Sequence, residues 1–116
     1  MGENKGYITH VEELGSIHIS EDVVASVAGT AAYEIEGISG MMHVTAKKGH
    51  ARGVRISVEN DCAVLDLFVI VRYGFAIPEI AEKVQNHVIS SVESMTGFSV
   101  KAVNIHVGGM SFNEKL

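Results

Sequence analysis

The sequence predicts a small α+β fold, a two-layer sandwich in which a mainly antiparallel sheet carries two helices on one face. Two segments place apolar residues at helical spacing, and the segments around them alternate apolar and polar residues one by one. The predicted elements follow the order β-α-β-β-α-β, and each helix has one apolar stripe to bury against a sheet. We expect a single domain over residues 1–116, with an ordered core from about 14 to 108 and short polar tails.

The first strand and the first helix come from the segment that ends at Gly37. Ile17 and Ile19 lie on one face of a strand predicted from Leu14 to Ile19. Ser20 is a good N-cap for the helix that follows, and Gly37 is predicted to end it in a left-handed conformation. The apolar stripe of this helix consists of Val23, Val27, Ala31 and Ile35, flanked by Val24 and Ala28.

A loop and then a hairpin are predicted in the middle of the chain. Residues Ile38 to Arg52 show no sustained period and are expected to form the loop. The strand from Val54 to Val58 is joined to a richer strand, from Cys62 to Tyr73, by a turn at Asn60-Asp61. In the richer strand we expect Leu65, Leu67, Val69 and Val71 to face the core, with Asp66, Phe68, Ile70 and Arg72 on the opposite face.

The second helix begins near Pro78, which suits a first helical turn, and is predicted to end at Gly97. The last strand is predicted from Phe98 to Val107. The apolar stripe of the second helix consists of Ile80, Val84, Val88, Val92 and Met95.

The overall composition favours a cytoplasmic protein that binds neither nucleic acid nor anionic lipid. The net charge is −5, whereas both of those ligands require a cationic surface. The single cysteine, Cys62, fits a reducing compartment and is interpreted as a buried small apolar residue. The first residues lack the apolar core of a signal peptide, and no apolar run is long enough to span a bilayer.

The sequence offers no catalytic constellation, no cofactor motif and no metal-ligand spacing. His18 and His106 are predicted on the open face of the sheet and could be neighbours there, but a zinc site needs three or four ligands. The glycine-containing residues 49–53 lack the pattern of a phosphate-binding loop. We therefore predict that the protein is not an enzyme.

Two surfaces are candidates for binding. The uncovered face of the sheet, with Asp66, Phe68, Ile70 and Arg72, is predicted to mediate self-association. A basic cluster is interpreted either as a solvated loop that offsets an acidic body or as a docking patch for an acidic partner. A small nucleic-acid-binding module that uses this 47–55 loop is the alternative function, and a metal-dependent or acyl-handling activity is a third. The cluster consists of Lys47, Lys48, Arg52 and Arg55.

Several stretches together resemble the alkaline shock protein family of envelope stress response proteins from Gram-positive bacteria. No single stretch is diagnostic, but the ordered set covers nearly the whole chain from Leu14 onward. The stretches are Gly15–Ser20, Ala28–Met41, Arg52–Val54, Asp66–Gly74, Ile77–Ala81, Val84–Gln85, Met95–Phe98 and Val103–Gly109.

The resemblance implies a non-enzymatic cytoplasmic protein that is held near the membrane by an anchored protein partner. It transfers no catalytic residue. The segment between Met41 and Arg52 is shorter than expected for the family.

Overall fold

The structure, a computed structural model, describes residues 7–42, 50–51 and 53–112. The predicted α+β class, with two helices and a mainly antiparallel sheet, is confirmed. The elements are β1 (Tyr7–Glu12), β2 (Gly15–Ser20), α1 (Glu21–Tyr33), β3 (Ile38–Met41), β4 (His50–Ala51), β5 (Val54–Glu59), β6 (Cys62–Arg72), α2 (Ile77–Thr96) and β7 (Ser99–Ser111).

The central strand of the five-stranded sheet is β6. Along one edge it pairs with β7 in parallel, from Cys62 opposite Ser99 to Arg72 opposite Ser111. Since a strand has only two edges, β5 and β3 share the other one, β5 opposite residues 62–67 and β3 opposite residues 69–71. Both of these pairings are antiparallel, and β4 adds to the outer side of β5. The parallel pair requires a crossover connection, which α2 supplies.

The core lies between one face of the sheet and the two helices. In β6 the predicted core residues Leu65, Leu67, Val69 and Val71 are buried, and they alternate with half-buried residues. The strand therefore has the period of two that the sequence predicted. The helical residues packed against them are Val24, Ala28, Ala31 and Ala32 of α1 and Ile80, Val84, Val88 and Val92 of α2.

The predicted helix boundaries hold at three of four ends. The N–H of Val23 donates to the Ser20 side-chain oxygen at 3.2 Å, as expected of an N-cap. Pro78 lies in the first turn of α2, and Gly97 ends that helix with a φ of 82°. The helix α1 ends at Tyr33, before the predicted Gly37. Gly37, with a φ of 108°, instead turns the chain into β3, where a Cβ atom would lie 2.8 Å from the Cδ1 atom of Ile80.

The prediction that the first strand joins the main sheet is wrong. β2 pairs with β1 in a separate two-stranded hairpin, in which Tyr7 lies opposite Ser20 and Glu12 opposite Gly15. β1 precedes the range 14–108 predicted for the ordered core, and β7 continues past it to Ser111. The alternation in β2 correctly indicated a strand, but alternation does not specify which strand it pairs with.

The prediction of a loop from Ile38 to Arg52 is also wrong at both ends of the segment. Ile38–Met41 forms β3 on the edge of β6, and His50–Ala51 forms β4 on the edge of β5. Strands of four and two residues are too short to show a period. They form because the neighbouring strands offer unpaired edges, which is a property of the folded sheet.

Two residues assigned to the buried stripes are exposed. Val23 is 50% exposed and Met95 is 70% exposed, so both predictions are wrong. In α1 the buried arc is shifted by one residue, to Val24, Ala25 and Ala28, because the helix faces both the sheet and α2. At the end of α2, Thr96 is buried where Met95 was predicted to be. The Thr96 hydroxyl donates a hydrogen bond to the Val92 carbonyl at 2.6 Å, so the buried polar group has a partner.

Candidate partner-binding face

The face of the sheet opposite the helices is formed by every second residue of β6. Asp66, Phe68, Ile70 and Arg72 all lie on this face and are half-buried. The helices pack on the other face, and the β1–β2 hairpin contacts α1. Within the described part of the chain, no element covers this side of the sheet, which we call the open face.

Asp66 is the centre of a polar network on the open face that joins three strands. From β7, the Asn104 amide donates to Asp66 Oδ1 at 3.1 Å, and His106 Nε2 lies 3.0 Å from the same oxygen. From β5, Arg55 Nε lies 3.6 Å from Asp66 Oδ2. An ionised carboxylate can only accept hydrogen bonds, so Nε2 of His106 carries the proton. The carboxylate thus connects both neighbours of the central strand.

The surroundings of Asp66 keep it ionised. Partial burial acts to raise the pKa of this carboxyl group, because it removes water from the charged form. The hydrogen bonds from His106 and Asn104, with the positive charge of Arg55, outweigh that effect, and the pKa is lowered from its ordinary value of 3.8. At neutral pH the Asp66 carboxylate therefore accepts hydrogen bonds and carries a negative charge that balances the charge of Arg55.

Phe68 packs between residues from both neighbouring strands. The His106 ring stacks on the Phe68 ring, with centroids 4.5 Å apart and an interplanar angle of 12°. The guanidinium carbon of Arg55 lies 5.5 Å from the Phe68 centroid, within the range of a cation–π contact. Because Asp66 holds both Arg55 and His106, the polar network and the aromatic ring form one unit.

The backbone of Phe68 marks the point where β3 ends and β5 begins. Its N–H donates to the Gly53 carbonyl at 2.8 Å, and its carbonyl accepts from the Met42 N–H at 2.8 Å. Met42 and Gly53, which precede and follow most of the predicted basic cluster in the sequence, therefore both lie beside Phe68. Of its members, Arg55 lies on the open face, whereas Lys47, Lys48 and Arg52 lie outside the described residues.

Ile70 and Arg72 continue the open face toward the end of β6. Ile70 lies in register with Gly109 of β7. A Cβ atom added to Gly109 would lie 3.6 Å from the Ile70 side chain. The Arg72 guanidinium lies 5.6 Å from the Phe75 ring centroid. Six residues of strand, about 20 Å, separate Arg72 from Asp66, so the two charges do not form a pair.

The histidine pair expected on the open face is not formed. His18 lies on the β1–β2 hairpin, where Nδ1 is 3.1 Å from the Thr9 hydroxyl, whereas His106 lies on β7 with Asp66. That expectation failed because it placed β2 in the main sheet. Across the described ranges, no three His, Cys, Asp or Glu residues are grouped so that they could hold a metal ion.

Sequence reasoning missed Asn104 and the link between His106 and Asp66. Both contacts depend on the parallel register of β6 and β7, which places Asn104 opposite Asp66 and His106 opposite Phe68. The only signal in the sequence was the alternation in Val103-Asn104-Ile105-His106, which puts the two polar residues on one face. That pattern does not indicate which residues of β6 they meet.

Side chains of α2 cover the first half of the outer edge of β7. The Gln85 amide donates to the Val103 carbonyl at 2.9 Å, and Glu93 accepts from the Val100 N–H at 2.9 Å. Such caps reduce the tendency of an edge strand to pair with another chain. Toward its end β7 exposes Val107 and Met110, and Phe112 stacks on Tyr73 with centroids 5.2 Å apart.

The sequence matches a family model over residues 9–112, that of the alkaline shock protein family with its cell envelope-related function. The uncharacterized protein YloU of Bacillus subtilis is 37% identical over 106 residues, which cover 83% of this chain and 88% of YloU. YqhY of the same organism is 30% identical over 110 residues, covering 88% and 82%. Spy1614 of Streptococcus pyogenes is 31% identical over 103 residues, covering 80% and 85%.

Solved structures with a similar fold include forms of MamM CTD. The copper form has a TM-score of 0.52 at 13% identity and covers 82% of this chain and 91% of that one. The manganese form has a TM-score of 0.50 at 14% identity, with coverage of 76% and 96%. At this level of identity the likeness concerns the fold alone. Neither described helix is long and apolar enough to cross a bilayer.

Proposed function

This chain belongs to the alkaline shock protein family, whose function relates to the cell envelope, and we propose that it acts there as a non-enzymatic adaptor protein. It self-associates through the open face of the sheet and docks onto a membrane-anchored protein partner. The observation that carries this proposal is the uncovered open face, where Asp66 and Phe68 are contacted by His106 from β7 and by Arg55 from β5.

The open face has the composition of a protein-binding surface. Phe68 and Ile70 supply apolar area, while Arg55 and His106 surround the aromatic ring with polar groups. Interfaces are enriched in aromatic residues and arginine, and their polar rims stay hydrated. The network holds the Phe68 ring in one orientation before binding, which lowers the entropy that association would cost.

The partner would contact the basic cluster. Arg55 is on the open face, and Met42 and Gly53, which flank in the sequence the segment that contains Lys47, Lys48 and Arg52, both hydrogen-bond to the backbone of Phe68. Four cations suit an acidic segment of a partner protein. A nucleic-acid-binding role is less well supported, because the net charge of the chain is −5 and a nucleic acid requires an extended cationic surface.

The Asp66–His106 pair supports a structural and not a catalytic role. An acid beside a histidine is also found in catalytic triads, where the other ring nitrogen serves a nucleophile. In the part of the chain that the structure describes, the hydrogen-bond partner of His106 is the Asp66 carboxylate. Its ring instead packs on Phe68, so the pair orients the aromatic surface.

Light scattering of the purified protein tests self-association. We expect an oligomer for the wild type and a monomer for Phe68→Glu, because the introduced carboxylate would be desolvated in the interface. Tyr33→Glu is the matched control, since Tyr33 is an exposed aromatic residue on α1. A wild type that stays monomeric at high concentration contradicts the proposal, as does equal loss of association in the two variants.

A further inference from the structure

A shallow groove runs between α1 and α2 on the solvent side of the helix layer. Its volume is about 250 Å³ and its surface is mostly apolar. We propose that this groove binds an amphipathic helix of a protein partner, in which Lys or Arg residues flank an apolar ridge. The groove is lined by Ser26, Val27, Thr30, Ala31, Glu34, Ser91 and Met95.

The shape of the groove suits a helix. Small side chains at Ser26, Thr30 and Ser91 keep its floor low, so that the ridge of a third helix can approach the two helix backbones. Met95, 70% exposed, forms the apolar wall on the α2 side, and methionine adapts its shape to different partner side chains. Binding of an apolar helix face in a groove of this kind is a common mode of peptide recognition.

The two ends of the groove differ. Near the end of α1, Glu34 Oε1 lies 2.7 Å from His87 Nε2 and ties the helices together. At the other end Val27 and Met95 line the groove, and Val23 is half exposed one turn earlier on α1. The apolar surface therefore extends from the middle of the groove toward the start of α1.

The charge around the groove selects a cationic partner. Residues 21–36, which contain α1 and the residues just after it, have four acidic side chains and no Lys or Arg. Neither helix has a basic residue in its last turn, where the partial negative charge of a helix C-terminus favours a cation. Basic residues beside an apolar ridge would complement both features, whereas an acidic helix or a fatty-acid carboxylate would be repelled. The acidic residues of this stretch are Glu21, Asp22, Glu34 and Glu36.

This inference rests on the proposed adaptor function and defines a second contact with a partner, separate from the acidic segment proposed for the basic cluster. The groove and the open face lie on opposite layers of the fold, so each can fail without the other. Adjacent serines on α2 supply a matched pair of variants. Ser91 lines the groove and is half-buried, whereas Ser90 is exposed and does not line it.

The test measures peptide binding by fluorescence anisotropy at low salt. The probes are two labelled helical peptides of about four turns, one built of Leu and Lys and one of Leu and Glu. We expect the Leu/Lys peptide to bind the wild type and Ser90→Arg with similar affinity and Ser91→Arg at least about tenfold more weakly. Met95→Ala, which leaves the charge unchanged, should also weaken binding. The Leu/Glu peptide should not bind.

Three results would overturn the inference. The first is equal binding of the Leu/Lys peptide by the two arginine variants, since attraction would then be unspecific. The second is displacement of the peptide by a saturated fatty acid, which would identify an acyl chain as the occupant. The third is loss of self-association in Ser91→Arg, which would place a second copy of the chain in the groove. The effect of Phe68→Glu on self-association tests only the adaptor proposal. Peptide binding to the groove should be the same in that variant as in the wild type.

Discussion

His106 on β7 lies in direct register with Phe68 on β6, and the two rings stack with centroids 4.5 Å apart. The same imidazole donates through Nε2 to Asp66. One side chain therefore links the charged and the aromatic parts of the open face, and the link exists only because β6 and β7 run parallel.

The stacked pair should be energetically coupled. Aromatic pairs contribute about 0.5–1.5 kcal/mol beyond the burial of their area. In a double-mutant cycle with Phe68→Leu and His106→Ala, we expect a coupling of about 0.5–1 kcal/mol in the free energy of unfolding, measured by urea denaturation at low protein concentration. Additive effects of the two substitutions would show that the stacking does not stabilise the fold.

The contribution of Asp66 should depend on pH. Because its pKa is lower in the folded protein than its ordinary value of 3.8, Asp66 stabilises the fold above about pH 4, and this contribution is lost as the pH falls through the folded pKa. We expect Asp66→Asn to unfold more easily than the wild type at pH 7, by about 1–2 kcal/mol for weakened hydrogen bonds to a charged group.

Urea denaturation of both proteins at pH 7 and near pH 3 provides the measurement. The difference in unfolding free energy should shrink at the lower pH. A difference that stays constant between the two conditions would show that the charge of Asp66 has no part in stability.

The buried face of α2 can be tested with two neighbouring residues. Val84 is fully buried, and an unpaired carboxylate there costs several kcal/mol against a total stability of about 5–15 kcal/mol. Val84→Asp should therefore unfold the protein, whereas Lys83→Glu, at an exposed position, should leave the thermal midpoint nearly unchanged. Similar midpoints for the two variants, measured by circular dichroism, would place the buried face elsewhere.

Periodic patterns in the sequence predicted correctly which residues of a strand face the core. They did not predict which strands pair with each other, because pairing depends on the tertiary structure. Alternation in β6 identified Leu65, Leu67, Val69 and Val71 as core residues and put Phe68 on the opposite face. The same alternation in β2 could not show that its partner is β1, because the turn at Glu13-Leu14 lacks the usual turn residues.

The candidate site was predicted in part. Asp66, Phe68, Ile70 and Arg72 were placed on the correct face, but the contacts with Asn104 and His106 follow from a register that no local pattern encodes. Met95 and Thr96 illustrate a second limit. Ranking residues by hydropathy selects the methionine, whereas the structure buries the threonine, whose hydroxyl is satisfied by the Val92 carbonyl.

We propose that a protein partner, and not the lipid, brings this protein to the membrane. Clustered cations gain about 1 kcal/mol each near an anionic leaflet, but here four cations belong to a chain with a net charge of −5. Neither described helix can span a bilayer. On the proposed function, binding to a membrane depends on a protein that the membrane itself contains.

Co-sedimentation of the purified protein with three kinds of membrane tests this claim most directly. The three are protein-free liposomes with anionic lipid, native membranes from the host, and native membranes treated with protease and washed before the protein is added. We predict sedimentation with the untreated native membranes and no sedimentation with the other two. Tight binding to protein-free liposomes, or undiminished binding after protease treatment, would contradict the adaptor account.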